Sequence, residues 1–311
     1  MRASFLLSKV LRGLITLFLA MTFAFLVLRL AGDPVSLMLP DDTPPDVINR
    51  YQEIYGLDRS LPEQYLRYIG GLLHGDFGYS FRDGRPALDV VLERVPQTLI
   101  LGAAGFFITS VIGICAGIVA ALKRGTPVDI AAMGFAVFGH SMPNFFFGIV
   151  MILLFAMTWR ILPSSGTGSL AHLIMPAITL GIGGAGSIAR FTRSSMLEVL
   201  HQPFMRTARA KGLKPARRVI LHAVPNAAIP VITVLGLRLG GIVAGAVVVE
   251  TVFAWPGVGQ LLVTAVGQRD LAVVQTIVLL VALTMVLVNF LVDVAYGWLD
   301  PRMARTGKET A

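Results

Sequence analysis

Two kinds of residue in this sequence could do chemistry: glycine-rich segments that could hold a phosphate, and polar residues that interrupt apolar runs. A loop that binds the phosphates of ATP has the pattern G-x-x-x-x-G-K-[ST]; no segment has it, and the Gly307-Lys308-Glu309 tail does not replace it. Residues 181–186, GIGGAG, match the dinucleotide-binding pattern G-x-G-x-x-G, but they lie inside an apolar run with no predicted strand before them. We interpret these glycines as sites of close helix packing and expect no ATP hydrolysis by the chain itself.

The sequence also lacks the residue patterns typical of an enzyme or a metal site. No nucleophile lies at an informative spacing from a base, and no group of His and Cys has metal-ligand spacing. The single cysteine, Cys115, lies in an apolar run, so no disulfide can form within the chain. We therefore predict no catalytic residues, no metal site and no cofactor bound by this chain.

Four polar or charged residues interrupt the apolar runs and are candidates for a transport pathway: His140, Asn144, Arg238 and Asp293. A charge inside a bilayer costs free energy, so such a residue usually has a function or a partner. Arg238 lies near the middle of one run and Asp293 in the inner half of the next, roughly 10 Å apart in depth. Direct pairing would need a tilt or a water; alternatively, Arg238 faces an aqueous pathway and meets substrate carboxylates or a partner helix. His140 and Asn144 either line that pathway or bond to neighbouring helices.

The composition indicates a membrane protein, since 55% of the 311 residues are hydrophobic and only 14% are charged. The formal net charge of +8 is unevenly distributed. With a cytoplasmic N terminus, 16 of the 26 Lys and Arg residues fall in inner segments, whereas residues 31–95 contain six basic and eleven acidic residues. The excess of positive charge on the inside then places both termini in the cytoplasm.

Six apolar runs are candidates to cross a hydrocarbon core of about 30 Å, which takes about 20 helical residues. They cover residues 10–30, 98–122, 130–159, 173–188, 227–249 and 273–298, and Pro143 interrupts the third. We therefore predict an all-α, polytopic membrane protein with six transmembrane helices. A cleaved signal peptide is the less favoured interpretation of the first run, because no A-x-A site follows it.

The runs divide the chain into four predicted regions. Residues 1–30 form a cytoplasmic N terminus with the first helix, and residues 31–95 form an extracytoplasmic insertion with short helices at 46–55 and 61–73. Residues 96–300 form a core of five helices, and residues 301–311 form a cytoplasmic tail. The insertion either contacts a partner that delivers substrate or only shields the membrane part.

The inner loop at residues 201–223 is basic, rich in alanine and free of acidic residues. Pro203 favours a helix start, Gly212 can take the left-handed conformation that ends a helix, and Pro215 favours a second start. One alternative is a solvated loop that only obeys the orientation rule. A helix-turn-helix that binds nucleic acid is disfavoured, because apolar spans on both sides hold the segment at the bilayer.

The spacing of Ala208, Gly212 and Pro225 resembles the cytoplasmic signature loop of bacterial ABC importer permeases: E-A-A, three residues, Gly, nine residues, I-x-L-P. The sequence departs from this form at four positions, with Arg206 for Glu, Thr207 for the first Ala, His222 for Ile and Val224 for Leu. The version R-T-A-R-A-K-G-L, followed by N-A-x-I-P, is similar to the branch that imports dipeptides, oligopeptides, glutathione or nickel. Further runs of that branch extend over nearly the whole chain: residues 32–34 (GDP), 55–58 (YGLD), 75–78 (GDFG), 189–193 (ARFTR), 249–257 (VETVFAWPG) and 299–302 (LDPR).

This resemblance implies the transmembrane domain of a type I ABC importer in the bacterial inner, or cytoplasmic, membrane. It implies that the inner loop is a coupling helix that docks in a groove of an ATP-hydrolysing subunit. Small Ala208 and Ala210 would let that surface approach closely, and the break at Gly212 would set the angle between the two helices. The residues assigned to this coupling are Phe204, Arg206, Thr207, Ala208, Ala210, Lys211, Gly212 and Pro225.

The same resemblance implies a set of partners. These are a second homologous permease, two ATP-binding subunits that hold ATP and Mg²⁺, an extracytoplasmic substrate-binding protein and the lipid bilayer, with no nucleic acid. Dipeptides or oligopeptides are the preferred cargo, and nickel or a nickel chelate is the alternative. An ion-driven secondary transporter is a rival class, but it would need inverted repeats and would leave the basic loop unexplained. A membrane-embedded enzyme would need catalytic residues that the sequence lacks.

Overall fold

The computed structural model describes residues 3–30, 35, 43–54, 56–239 and 242–299. These residues are mostly helical, and their only β-pairing is an isolated bridge between Tyr79 and Pro86. The helices are α1 (Ala3–Leu30), α2 (Pro45–Ile54), α3 (Leu61–Leu73), α4 (Ala87–Leu92), α5 (Val95–Leu122), α6 (Pro127–Ser141), α7 (Asn144–Met151), α8 (Leu170–Leu200), α9 (Pro203–Ala210), α10 (Pro215–Arg218), α11 (Val224–Leu239), α12 (Ile242–Val252), α13 (Val258–Gly267) and α14 (Leu271–Leu299). Helix α7 continues in π-helical turns over Ile152–Thr158, and α10 does so over Val219–Ala223.

Five segments of the described chain are long and apolar enough to cross a membrane: Leu7–Arg29, Ala87–Leu122, Leu170–Leu200, Pro215–Arg238 and Leu271–Val292. A sixth crossing is broken, because α6 and α7 together pass the same test but bend by 103° where they meet. Pro143 explains the break: it has no amide N–H to donate, and it disfavours a helical conformation at Met142, which is extended with ψ 124. The predicted all-α fold with six spans is confirmed when the bent pair counts as one span.

Besides the broken third span, the fourth and fifth spans differ most from their predicted bounds. The fourth was predicted at residues 173–188, but α8 continues to Leu200, since neither Gly nor Pro follows Gly186 within it. The fifth was predicted as one run over residues 227–249, and the structure describes it as two helices, Val224–Leu239 and Ile242–Val252. Residues 240 and 241 between them lie outside the described residues.

Packing divides the chain into two compact units. The first contains residues 1–96 and 260–290, and the second contains residues 97–259 and 291–311. These units are defined by contacts, whereas the predicted regions follow the expected membrane topology. The boundaries at residues 30, 95 and 300 therefore stay predictions.

Within the second unit, α5 runs parallel to α8 and lies very close to it. A Cβ atom added at Gly113 would lie 2.7 Å from Cβ of Ile188, and one at Gly117 would lie 2.5 Å from Cβ of Thr192. Ile188 and Thr192 each lie 75 positions after the glycine that they contact. The two helices therefore run side by side in the same direction over more than one turn. Only glycine permits this separation, so the two backbones come into near contact, as small residues allow between membrane helices.

Helix α6 packs against α8 in the opposite direction. A Cβ atom at Gly139 would lie 2.9 Å from Cγ2 of Ile182, and any side chain at Gly186 would overlap the carbonyl oxygen of Ala136. Residue numbers fall along α8 as they rise along α6, which defines an antiparallel pair. Helix α8 therefore holds α5 on one side and α6 on another through contacts that leave no room for larger side chains.

A fully buried carboxylate organises the turn between α12 and α13. Glu250 accepts hydrogen bonds from the Thr98 hydroxyl at 2.7 Å and from the backbone N–H of Gly259 at 2.7 Å. The indole N–H of Trp255 donates to the carbonyl oxygen of Gln97 at 2.9 Å. The start of α5 and the first turn of α13 are thus tied to one side chain, in a site where a buried acid needs its hydrogen bonds.

In the first unit, the insertion packs onto α1 through aromatic side chains of α3. Phe25 is 1% exposed and lies 5.2 Å from the ring of Tyr65 and 5.8 Å from that of Tyr68. The hydroxyls of Thr22 and Tyr65 share a hydrogen bond of 2.6 Å. Burial raises the pKa of Tyr68 to about 12, with a smaller contribution from Tyr65, so this phenol stays neutral at physiological pH.

A second attachment in this unit joins the loop after α3 to the start of α14. The Ser80 hydroxyl donates to the carboxylate of Asp270 at 2.5 Å, and both residues are buried. The same carboxylate accepts from the backbone N–H of Val273 at 3.3 Å, which is the position of a helix-capping acceptor. The insertion is therefore built into its unit by polar contacts as well as by aromatic packing.

We expect Gly117→Leu to disrupt the α5–α8 contact, because its side chain would collide with Thr192 and with the backbone of α8. Overpacking of this kind typically costs about 1–3 kcal/mol. Gly134→Leu is the matched control, since a Cβ atom there meets nothing within 4 Å. The melting temperature of the purified protein should fall for Gly117→Leu and stay near that of wild type for the control; equal melting temperatures would contradict the close packing.

Candidate functional site

The inner loop forms an elbow, which we define as residues 203–218. Helix α9 starts at Pro203 after an extended Gln202, and it ends at a left-handed glycine, Gly212, with φ 74. The N–H groups of Gly212 and Leu213 donate to the carbonyls of Arg209 and Ala208 at 3.0 and 3.3 Å, a pattern common at helix C-termini. After this turn, α10 starts at Pro215. The two-helix prediction is thus reproduced, although the second helix becomes π-helical from Val219 onward.

The residues assigned to coupling divide between the two faces of α9. Phe204 is 40% exposed. Arg206, Thr207, Ala210, Lys211 and Gly212 are also exposed, as is Pro225 in the first turn of α11. Met205 packs inward with Met196 of α8 and with Ala223 and Ala227 beyond the elbow. The elbow therefore has its own apolar base and an exposed outward face, and the charge distribution predicts that this face lies in the cytoplasm.

The burial of Ala208 contradicts the prediction that both small residues, Ala208 and Ala210, face a partner surface. Ala208 was expected to let a partner surface approach closely, but it is only 6% exposed and faces its own chain. Of the two alanines, Ala210 alone lies on the outward face. The physical reason is the helical period: Ala208 follows Met205 by three positions and so lies on the same buried stripe.

Three of the four predicted pathway residues line one cavity of about 610 Å³ in the second unit: His140, Asn144 and Arg238. Its walls come from α5, the α6–α7 bend, α8 and α11. They consist of Gly102, Gly105, Phe106, Thr109, His140, Met142, Pro143, Asn144, Leu180, Gly183, Gly184, Val234, Leu237 and Arg238. The bend at Pro143 opens this space, because it turns the backbone of the broken span away from a straight course.

Arg238 is exposed in the cavity wall, and a hydroxyl positions it. Its Nη2 donates to Oγ of Ser187 at 2.7 Å, and that hydroxyl donates in turn to the carbonyl of Gly184 at 2.9 Å. Of the described residues that line the cavity, only Arg238 carries a permanent charge. His140 Nδ1 lies 3.3 Å from the carbonyl oxygen of Gly183, so this ring is held against α8. The site can therefore offer a fixed guanidinium to an anionic group.

The fourth predicted residue, Asp293, lies in α14, but its side chain is outside the described residues. Pairing of Arg238 with Asp293 therefore stays a prediction. Ser187 was not singled out from the sequence, although it falls on α8 one turn after Gly183. A serine in an apolar run was the available signal, and it is a weak one, because such hydroxyls usually bond to their own helix.

The sequence also gave no reason to pair Asp129 with Arg193, which the structure joins. Arg193 donates from Nε and Nη2 to the two carboxylate oxygens of Asp129, both at 2.7 Å. The backbone N–H of Gly125 donates to the same carboxylate at 3.0 Å. The sequence analysis placed Arg193 among the inner basic residues and in the run 189–193 but gave it no partner; because α8 continues past residue 188, Arg193 lies on the same helix as Gly186 and faces α6.

The helices that can span a membrane, together with the elbow, define a polytopic helical membrane protein. An inward-facing MetNI methionine ABC transporter has a similar chain, with a TM-score of 0.57 and 21% identity over 69% of this chain and 98% of that one. An amino acid ABC transporter whose structure was solved with histidines has a TM-score of 0.53 and 14% sequence identity. The match covers 67% of this chain and 92% of that one. At such identities the likeness supports the fold alone, which is that of ABC transporter membrane subunits.

Sequence comparison establishes the family. The model described as "Binding-protein-dependent transport system inner membrane component" matches residues 113–305, and the model for the N-terminal part of such components matches residues 2–102. The chain belongs to this family and is a multi-pass protein of the inner membrane, as its resemblance predicted.

Similar curated proteins are permeases. The dipeptide transport system permease protein DppB of Escherichia coli K12 is 41% identical over 91% of this chain and 93% of its own length. The di/tripeptide transport system permease DppB of Pseudomonas aeruginosa gives the same identity and coverage. The glutathione transport system permease GsiC of Escherichia coli K12 is 41% identical over 94% of this chain and 96% of its own length.

Proposed function

We propose that this chain is the membrane-spanning permease subunit of an ATP-driven importer of dipeptides or oligopeptides, and that it forms one half of the translocation pathway. One observation carries the proposal: the same helix bears the cavity and leads into the elbow. Gly183 and Gly184 of α8 line the cavity, and only two residues lie between the end of α8 at Leu200 and the start of α9 at Pro203. A force on the elbow is therefore delivered directly to a helix of the cavity wall.

The partners follow from what the chain lacks and what its surface offers. Because it has no phosphate-binding loop, two partner subunits bind ATP and Mg²⁺ and hydrolyse the nucleotide. A second, homologous permease completes the pathway, and an extracytoplasmic binding protein delivers the cargo. This assignment is supported by the family, whose description names binding-protein-dependent transport.

The outward face of the elbow is the proposed coupling surface. Phe204 supplies an exposed aromatic side chain, and positive charge comes from Arg206 in the middle of α9 and from Lys211 directly after its end. Exposed Thr207 and Ala210 between them are small enough for a groove to close over the helix. Ala208 acts on the inner side, where it packs toward the apolar base, Gly212 sets the turn between α9 and α10, and Pro225 lies in the first turn of the helix that follows.

Alternating access then follows from these connections. ATP binding closes the two nucleotide-binding subunits, their grooves move the elbow, and α8 moves with it. The cavity opens outward toward a loaded binding protein, and hydrolysis resets it. Coupling of this kind requires only that the two states of the membrane part bind the ATPase subunits with different free energies.

A peptide cargo is supported by the relatives named for dipeptides, di/tripeptides and glutathione. It also suits the cavity, because a linear peptide carries a terminal carboxylate and Arg238 places a guanidinium in the wall. A nickel ion or nickel chelate is the alternative cargo, and the same complex can be tested with both.

Copurification followed by transport assays tests this function. The chain, expressed with its second permease and two ATPase subunits, should purify as one complex whose ATPase is stimulated by loaded binding protein and which moves peptide into vesicles. An ion-driven transporter would move cargo alone under an ion gradient, and an enzyme would convert substrate in detergent. Uptake by the isolated chain without nucleotide or ATPase subunits would refute the proposal.

Gly212→Leu should uncouple ATP hydrolysis from uptake while leaving the chain in the membrane. Gly212 has φ 74 and nothing within 4 Å of an added Cβ, so the side chain meets no obstacle but the backbone is strained by about 1–2 kcal/mol. That strain favours a different angle at the elbow. Gly212→Asn is the control, since Asn tolerates this conformation. We expect uptake per ATP to fall roughly 5-fold or more in Gly212→Leu and little in Gly212→Asn; full coupled uptake in Gly212→Leu would contradict the elbow's role.

Arg238→Gln should reduce peptide uptake roughly 10-fold or more, since a charged hydrogen bond contributes about 1.5–3 kcal/mol. The side chain is exposed in the cavity, so its loss should leave assembly intact. Arg160→Gln, an exposed position outside the cavity, is the matched control. Uptake is measured in vesicles that contain equal amounts of assembled complex. Unchanged uptake by Arg238→Gln with normal complex stability would remove Arg238 from the pathway.

A further inference from the structure

We infer that Asp129 and Arg193 are positioning residues for coupled transport, which fasten the inner end of α6 to α8 so that the cavity wall and the elbow move as one body. This inference rests on the proposed function, because it concerns how motion of the elbow reaches the cavity. It assigns a role to two residues that touch neither the outward face of the elbow nor the cavity.

The contact is built as a rigid clamp. Both carboxylate oxygens of Asp129 accept from the guanidinium of Arg193 at 2.7 Å, which is a bidentate geometry that fixes orientation as well as distance. The third bond, from the N–H of Gly125, ties the turn between α5 and α6 to the same carboxylate. Asp129 is 5% exposed, whereas the side chain of Arg193 is 26% exposed, so the carboxylate is buried and the guanidinium is partly in contact with solvent. Such pairs contribute little net stability but are costly to break on one side only.

A negatively charged side chain is stabilised at position 129 by the start of α6. Asp129 lies in the first turn of α6, which starts at Pro127, so its charge interacts favourably with the positive end of the helix dipole. An apolar side chain there would lose the bonds from Gly125 and Arg193, which orient the first turn of α6. The clamp therefore sets both the position and the orientation of this helix end.

The clamp is the innermost of several contacts that hold α6 along α8. Ala136 meets Gly186, and His140 meets the carbonyl of Gly183, each closer to the bend than the ion pair. The three contacts pair positions 129 with 193, 136 with 186 and 140 with 183, which is one antiparallel register along α6. Helix α6 is thus fixed near both of its ends, and the pair behaves as a single body because close-packed contacts have few alternative arrangements.

This body connects the two functional regions of the chain. At its inner end, Arg193 lies about two helical turns, roughly 10 Å, before the end of α8, where the elbow begins. At its outer end, α6 leads into Met142, Pro143 and Asn144, all of which line the cavity. Without the clamp, α6 would be held to α8 only by the contacts nearer the bend, so a push on the inner end of α8 would reach the broken span less completely. With it, two walls of the cavity move together.

The test uses the assembled complex with its ATPase subunits and binding protein. Asp129→Asn keeps the shape of the side chain but loses the ion pair, and we expect uptake per ATP hydrolysed to fall roughly 5-fold or more. Arg193→Lys keeps the charge but cannot form two parallel bonds, so it should show a smaller loss in the same direction. Arg190→Gln is the matched control, because Arg190 is an exposed basic residue one turn earlier on α8; its coupling ratio should equal that of wild type.

A covalent replacement separates positioning from mere stability. In a background with Cys115→Ala, which removes the free thiol, Asp129→Cys with Arg193→Cys should lose coupling until a short bifunctional thiol reagent joins the two helices. Recovery of coupled uptake on cross-linking supports the inference, because a stabilising ion pair alone would give fewer complexes rather than a lower ratio. A cross-link that stops transport would overturn it, since the helices would then have to separate during the cycle.

The remaining outcomes are also decisive. Normal coupling in Asp129→Asn, with a normal amount of complex, would remove the clamp from the mechanism. If Asp129→Asn assembles poorly, the ratio measured with Arg193→Lys and with the cross-linked pair decides the question. Failure of the wild-type complex to take up any peptide would contradict the proposed function instead, and the two failures are therefore distinguishable.

Discussion

Close backbone approach along α8 is the constraint on which the second unit depends. In a bilayer there is no hydrophobic force between helices, so their association relies on contact at short range and on polar groups satisfied inside the protein. Gly113 and Gly117 of α5 and Gly186 of α8 meet this condition by leaving out the side chain that would keep the backbones apart. Once these approaches are fixed, the directions of α5 and α6 relative to α8 are fixed as well, and so is the place where the cavity can open.

Polar groups near this packed region are used in two different ways. Glu250 is fully buried and accepts hydrogen bonds from Thr98 and Gly259, and Asp129 is nearly as buried and is paired with the oppositely charged Arg193, so the carboxylate oxygens of both are bonded within the chain. Arg238 is different, because it is exposed to the cavity and its hydroxyl partner, Ser187, carries no charge. A cation held by a neutral group retains most of its attraction for an anion. This contrast, rather than depth in the membrane alone, makes Arg238 the better candidate for contact with cargo.

The membrane character, the number of spans and the elbow could be predicted from the sequence because each depends on local pattern. Apolar length gives the spans, and Pro203, Gly212 and Pro215 define the elbow through their own backbone preferences. Contacts between distant segments could not be predicted in this way. Nothing near Asp129 in the sequence indicates Arg193, and the burial of Ala208 follows only from the apolar base beneath α9. The bend at Pro143 is predictable only in part. The proline itself predicts the break in the helix, whereas the angle of 103° depends on packing with other segments.

The burial of Ala208 changes how the signature spacing is understood. If Ala208 contacted the partner, its size would be set by the groove of the ATPase subunit; since it lies against its own chain, its size is set by the elbow's base. A larger residue there would lift α9 away from Met196 and Ala223, which pack with its neighbour Met205. Ala208 and the left-handed Gly212 therefore both hold α9 at a defined angle before any partner binds. In the proposed coupling, a preformed elbow would lose little conformational entropy on docking, so more of the binding free energy would be left to move α8.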